Sequence, residues 1–228
     1  MNIKLLKEYL YVSREAYYYN EKNEFRWQSV HGQSVQGKDC PRFKTSKEQL
    51  KNYRGTAVKS TVKEIGELVL NFLSGLGVID KIFAQTYNPI FNLNNLNYKD
   101  IKKKYNLNDE RDIVWMKFTK EGFLGVVACS NDINFDIPKN AKQYDEKDIY
   151  DKRKWKYNTS GIIIHQLKQE WNENFVLLFP LEKIPKDYNR LHIEWAVGNY
   201  LIENKIPILD LYSHQMNKFS YEEINKNI

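Results

Sequence analysis

The stretch from Gly161 to His214 constrains the fold more than any other part of this chain. It alternates short apolar runs with one amphipathic segment, and the connections between them are short and polar. The apolar runs have the length and the β-branched and aromatic content of buried strands. The predicted elements are strands at 161–167 and 175–181, a helix at 190–203 with Asn189 as its N-cap, and a strand at 206–212. Together they predict a β-β-α-β unit.

A strand, a helix and a second strand with short connections predict a parallel strand pair. Ligands of open parallel sheets gather at the carboxyl ends of the strands. These ends carry Glu182 after the second strand, Asp210 near the end of the last strand, and Ser213 and His214 directly after it. A general base or a metal ligand fits here, so we take Asp210 and His214 as candidate catalytic residues. The alternative is that the polar end of the last strand is simply hydrated.

Outside this stretch, helical spacing of apolar residues predicts a core helix over Val58–Val78, with Gly77 at its end. Two runs, 112–119 and 123–130, predict a hairpin with Gly122 in its turn. A further helix is predicted over Ile3–Tyr19. The Asn-rich segment 88–110 reads as a loop that contains a short basic helix over 98–105.

These elements predict an α+β fold. It consists of a mixed sheet with the C-terminal β-β-α-β unit, and an N-terminal, mainly helical subdomain. Residues 1–108 form this basic subdomain, and residues 109–228 form the part that contains the sheet. No internal repeat and no glycine-serine linker separates the two parts, so we expect one compact domain overall.

Composition indicates the cellular compartment in which the protein is expected. The hydrophobic fraction of 42% is ample for a packed core. No apolar run approaches the roughly 18–20 residues that span a bilayer, so no membrane association is expected. The first residues lack the apolar centre of a signal peptide. The two cysteines form no disulfide framework. We therefore expect a cytoplasmic protein.

The net charge of +6 is concentrated in the first quarter of the chain. Residues 1–60 hold 12 Lys and Arg against 6 Asp and Glu, whereas the remainder is balanced at 23 of each. Within segment 22–59, arginines adjoin aromatic residues. Such neighbours suit nucleic acid, because guanidinium groups pair with phosphates and rings stack on bases. The candidate contacts are Arg26, Trp27, Arg42, Phe43 and Arg54, with Lys152, Arg153, Lys154 and Trp155 as a second patch. A hydrated basic face is the alternative.

Gln166 lies in the predicted strand 161–167, and Lys168 directly follows that strand. A strand that carries Gln-x-Lys resembles one variant of the metal-dependent nuclease core. The resemblance implies that the glutamine and an acid hold Mg²⁺ while the lysine stabilises the attacked phosphate. The acid would come from Asp132, Asp148 or Asp151, since the Asp and Glu/Asp-x-Lys arrangement of that core is absent. No spacing of residues demands a metal site in itself.

Three functional hypotheses follow. The first is a nucleic-acid-binding protein that uses the basic aromatic segment, with DNA and RNA equally open. The second is an enzyme acting on nucleic acid through Gln166 and Lys168 or through Asp210 and His214, with Mg²⁺ as cofactor in the first version. The third is a non-enzymatic inhibitor or adaptor that binds another protein, since tyrosine, tryptophan and arginine also suit protein interfaces.

Overall fold

Four antiparallel strands form the sheet around which the described part of the chain packs. The computed structural model describes residues 1–10, 15–19, 25–29, 50, 60–92, 103–105, 112–130, 167, 169–206 and 208–209, with the backbone alone for 15–19 and 25–29. The strands of the sheet are β3 (Ile90–Asn92), β4 (Ile113–Phe118), β5 (Leu124–Ser130) and β6 (Phe175–Pro180). Their spatial order is β3-β6-β4-β5, so β6 bridges the Asn-rich segment and the hairpin.

The β4–β5 hairpin confirms the sequence prediction, including Gly122 in its turn with a φ of 87°. The register shifts between Lys117, opposite Val126, and Phe118, opposite Leu124. Gly125 is therefore the extra residue of a β-bulge. The bulge keeps Leu124 and Val126 on opposite faces of the sheet.

Three helices cover the first face of the sheet. They are α1 (Ile3–Glu8), α2 (Val62–Leu76) and α4 (Arg190–Glu203), while the shorter α3 (Lys81–Thr86) follows α2. Val114, Met116 and Phe118 of β4 enter the core that these helices form with the sheet. The rings of Phe72 on α2 and Tyr200 on α4 stack with centroids 4.0 Å apart.

The second face of the sheet is also buried. Ile113 and Trp115 of β4 belong to a separate apolar cluster there, and Leu50, Leu167 and Trp171 pack into the same cluster. All six residues of β4 are consequently buried. A strand that is covered on both sides reads as a continuous apolar run, as IVWMKF does apart from its lysine.

The ends of α2 and α4 follow from local capping. Thr61 and Glu64 form a capping box at the start of α2, and Gly77 ends it with a left-handed φ of 74°. Helix α2 thus begins four residues later than predicted, because its first turn is set by the Thr61 side chain. Helix α4 confirms the predicted bounds, with Asn189 as N-cap.

The predicted helix over Ile3–Tyr19 is wrong beyond Glu8. Helix α1 ends there, and Glu15–Tyr19 instead form strand β1, which pairs antiparallel with β2 (Phe25–Ser29). Consecutive tyrosines favour an extended backbone, and the pairing with β2 satisfies the backbone hydrogen bonds that a helix would have formed internally. Strand β3 is likewise new, since Ile90–Asn92 lie in the segment read as a loop.

The strand predicted over 206–212 is also wrong at the residues described. Lys205 has a φ of 61° and turns the chain after α4, and Leu209 lies in a turn. The Leu209 N–H donates to the Leu124 carbonyl at 3.2 Å, which brings the chain to the end of the hairpin rather than into a ladder. Residues 210–212 lie outside the described ranges.

The α+β class is confirmed. Every strand pair within the described residues is antiparallel, so the parallel pair expected around α4, and with it the mixed sheet, is not found there. Among the described residues, α4 is the helix that follows β6. It packs on the first face of the sheet, beside α2. None of the helices in the described ranges has the length and apolar character needed to cross a bilayer.

Candidate functional site

Most of the residues predicted to form a site lie outside the described part of the chain. Those beyond it are Gln166, Lys168, Asp210, Ser213, His214, Arg42, Phe43, Arg54, Lys152, Arg153, Lys154 and Trp155. The roles assigned to them remain predictions. Arg26 and Trp27 are described through their backbone in β2.

The site predicted at Glu182 and Asp210 depends on a pair of parallel strands, and no such pair is found among the described residues. Strand β6 runs antiparallel to both of its neighbours, and Pro180 at its end pairs with Ile113 at the beginning of β4. Glu182 is exposed, and its N–H donates to the Val78 carbonyl at 2.8 Å. Leu167, at the end of the first predicted strand, lies in a turn and is buried against the second face.

The paired strands β1 and β2 bring the predicted contacts Arg26 and Trp27 next to three tyrosines. The register places Tyr17 opposite Trp27, Tyr18 opposite Arg26 and Tyr19 opposite Phe25. Because successive strand positions alternate between two sides, positions 17, 19, 25 and 27 share one side of this ribbon, and positions 18 and 26 share the other. Four aromatic positions therefore form a two-by-two group.

Lys117 is a buried ionisable group that sequence analysis missed. It lies on β4 in the same alternation as Ile113 and Trp115, and its side chain is 0% exposed. Its Nζ has no hydrogen-bond partner among the residues that the structure describes. In the sequence, Lys117 appears as one lysine inside an otherwise apolar run, IVWMKF. Only the burial of both faces of this strand shows that its amine is buried as well.

The surroundings of Lys117 disfavour a charged amine. Its Nζ lies 6.0 Å from the centroid of the Trp171 ring, at the outer limit of a cation–π contact. Burial lowers the pKa of Lys117 below its usual value, and the exposed Glu173 carboxylate opposes this change more weakly. A lysine of this kind is a weaker base than an exposed one.

The segment around Trp171 closes over this end of the hairpin. Thr119 and Trp171 form an antiparallel bridge, the Lys120 N–H donates to the Glu170 carbonyl at 2.7 Å, and the Asn172 N–H donates to the Phe118 carbonyl at 2.9 Å. These bonds hold the Trp171 ring over the bulge. The Lys117 amine is therefore covered by protein.

His192 has a structural role at the start of α4. The Asn189 N–H donates to its Nδ1 at 3.1 Å as one half of the capping box. Burial lowers the pKa of His192. A neutral imidazole with an unprotonated Nδ1 is the form that caps the helix.

Within the described ranges, no group of three or more His, Cys, Asp and Glu side chains is arranged to hold a metal ion. No protein-family model matches the chain, and comparisons with curated proteins and with solved structures give no match either. The function must therefore be inferred from the chain's own residues.

Proposed function

We propose that this protein binds nucleic acid through a surface made of the β1–β2 ribbon and the basic aromatic segment 22–59. Aromatic groups on this surface stack on unpaired bases, and the arginines and lysines pair with phosphates. Bases must be unstacked to be reached in this way, so the preferred ligand is single-stranded.

The register of the ribbon carries this proposal. Tyr17 opposite Trp27 and Tyr19 opposite Phe25 concentrate four aromatic positions on one side of two short strands. A β-ribbon with a group of aromatic positions is suited to stacking on successive bases, because every base has a π face. Position 26 lies opposite position 18, on the other side of the ribbon.

The charge of the segment favours a polyanion over a protein partner. Segment 22–59 carries nine Lys and Arg against three Asp and Glu. Aromatic residues alone suit a protein interface equally well, whereas a local excess of positive charge attracts phosphates at long range. We expect this activity in the cytoplasm, where a chain with two cysteines in 228 residues needs no disulfides.

Fluorescence anisotropy with labelled single-stranded DNA and RNA of about twelve nucleotides, at salt concentrations from about 50 to about 300 mM, tests the proposal. We expect log affinity to fall linearly with log salt. Arg26→Ala should lower the magnitude of that slope by about 0.7, since one phosphate contact is lost. Trp27→Ala should weaken binding by about 1–3 kcal/mol with the slope unchanged.

Lys186→Ala provides the matched control, because Lys186 is an exposed cation in the connection between β6 and α4. It should leave both affinity and slope at the wild-type values. Salt-independent binding, or equal losses for Arg26→Ala and Lys186→Ala, would contradict the proposal. A stoichiometric protein that co-purifies after nuclease treatment, with no oligonucleotide binding, would favour the adaptor alternative.

A further inference from the structure

A cleft of about 500 Å³ opens between the exposed face of α2 and a second wall formed by the end of α3 and the segment that connects it to β3. Leu70, Tyr87 and Pro89 line it and are buried. Exposed polar side chains stand around these apolar groups. They are Lys63, Glu67 and Asn71 on α2, with Gln85 and Asn88 facing them from the other wall.

The floor of the cleft is fixed to the sheet. The Tyr87 hydroxyl donates to the Leu178 carbonyl of β6 at 2.8 Å, in the interior of the protein. Pro89 lies so close to α2 that a Cβ on Gly66 would stand 3.0 Å from its Cγ. Asn88 Oδ1 accepts from the Ile90 N–H at 3.1 Å and holds the turn into β3. The cleft is therefore formed before any ligand arrives.

The polar rim is rich in carboxamides and has no net charge. Lys63 and Glu67 form an exposed ion pair at 3.7 Å, so their charges offset each other. Asn71 and Gln85 present both a donor and an acceptor on the same planar group. Such groups pair with the adjacent donor and acceptor on the edge of a nucleobase. An apolar floor suits the face of the ring.

The length of the cleft limits the ligand. Lys63, Glu67 and Asn71 follow one another every four residues, which places the two outer positions about 12 Å apart along α2. This length accommodates one base with its ribose. An extended peptide of the same length would have about three or four residues, too few for most peptide-binding grooves.

We propose that this cleft binds a single nucleobase together with its ribose. The inference rests on the proposed nucleic-acid function and adds a second contact, at which one base is read by its edge rather than by stacking alone. The base belongs either to a bound strand or to a free nucleoside, and both present the same chemistry to the rim.

Chemical-shift titration of the full chain with adenosine, cytidine, guanosine and uridine tests the inference, because neutral nucleosides exclude phosphate contacts. We expect saturable shifts at the amides of Asn71, Gln85 and Asn88 with at least one nucleoside. The affinity should change less than twofold across the salt range used for oligonucleotides. Gln85→Ala and Asn71→Ala, which alter exposed side chains, should each weaken it by about fivefold, as expected for one lost hydrogen bond.

Gln169→Ala is the matched control, since Gln169 is an exposed carboxamide outside the cleft lining. It should retain full affinity. The inference is overturned if no nucleoside saturates the cleft amides, if Gln169→Ala and Gln85→Ala have equal effects, or if a neutral capped tetraalanine peptide binds more tightly than every nucleoside.

The two proposals fail separately. If the protein binds oligonucleotides in a salt-dependent way but binds no nucleoside, the proposal of a nucleobase cleft is wrong and the ribbon proposal stands. Nucleoside binding that Trp27→Ala leaves intact, in a protein that binds no oligonucleotide, overturns the ribbon proposal alone and supports the cleft as a site for free nucleosides.

Discussion

The ring of Trp171 lies directly against the backbone of Gly125, at the bulge of the β4–β5 hairpin. A Cβ at position 125 would overlap the Cζ3 atom of the ring. Trp171 is 0% exposed, so protein atoms surround the ring on every side. This contact joins the residues after position 167 to the hairpin and covers Lys117.

We predict that Gly125→Ala lowers the free energy of unfolding by about 1–3 kcal/mol, because overpacking displaces the ring or the strand. Gly75→Ala is the matched control. Its Cβ would meet Leu5 Cδ2 at an ordinary 3.6 Å inside α2, and the substitution should raise stability by about 0.5–1 kcal/mol. Urea denaturation measures both. A Gly125→Ala protein as stable as the wild type would refute the close contact.

Lys117→Met should stabilise the protein by about 1–2 kcal/mol at pH 7, because a buried amine is replaced by an apolar chain of similar length. The pKa of Lys117 is lowered on folding, so the unfolded chain binds more protons between that lowered value and about 10.4. Wild-type stability relative to Lys117→Met should therefore rise with pH across this window and level off above it. Urea titrations from neutral to alkaline pH measure the difference.

Lys120→Met serves as the control for this comparison, since Lys120 is exposed in the adjoining turn. It should change stability by less than about 0.5 kcal/mol, as surface substitutions commonly do. A difference between wild type and Lys117→Met that stays constant with pH would show that the Lys117 amine titrates normally.

His192→Gln should make the protein less sensitive to acid. Folding lowers the pKa of His192, so the unfolded chain binds more protons than the folded protein as the pH falls below about 6.5. The contribution of His192 to stability is therefore fully present above this pH and is lost as the pH falls toward the folded pKa. Glutamine retains a side-chain acceptor for the Asn189 N–H but does not titrate in this range. Thermal unfolding at pH 7 and pH 5 should show a smaller loss for the variant, and equal losses would contradict this role.

Thr61→Ala should cost about 1 kcal/mol, because it removes the oxygen that accepts from the Glu64 N–H at 3.2 Å. Thr61→Ser retains that oxygen and should remain close to the wild type. The Thr61 backbone N–H, and more weakly the Thr61 hydroxyl, donate to the Glu64 carboxylate and lower its pKa. Because Thr61→Ala removes the hydroxyl and keeps the backbone N–H, NMR titration should show the pKa of Glu64 moving only part of the way back toward its usual value, and Thr61→Ser should leave it unchanged.

Local patterns were sufficient to predict several elements. The hairpin of β4 and β5 follows from two apolar runs around Gly122, and α4 follows from the helical spacing after Asn189. Strand β3 was missed because Ile90 and Phe91 are too few to show a period. The helix predicted across β1 failed because a run of tyrosines fits more than one local structure until its partner strand is known.

The candidate sites are formed by segments that lie apart in the sequence, and the spacing of residues along the chain does not show which segments come into contact. Arg26 and Trp27 lie in a ribbon whose register with Tyr17–Tyr19 became visible only in the fold. The cleft beside α2 was not anticipated at all. Its Asn71, Gln85 and Asn88 are unremarkable surface residues in the sequence, and only the packing of Pro89 on Gly66 brings the two walls together.

The sequence by itself determined the secondary structure of the strongly patterned segments, the end of α2 at Gly77 and both ends of α4, because periodicity and capping act within a few residues. Tertiary structure alone decided the strand order, the antiparallel setting of β6 and the burial of both faces of β4. These features depend on contacts between distant segments. Because of these contacts, the amine of Lys117 is buried beside the Trp171 ring, which the sequence does not show.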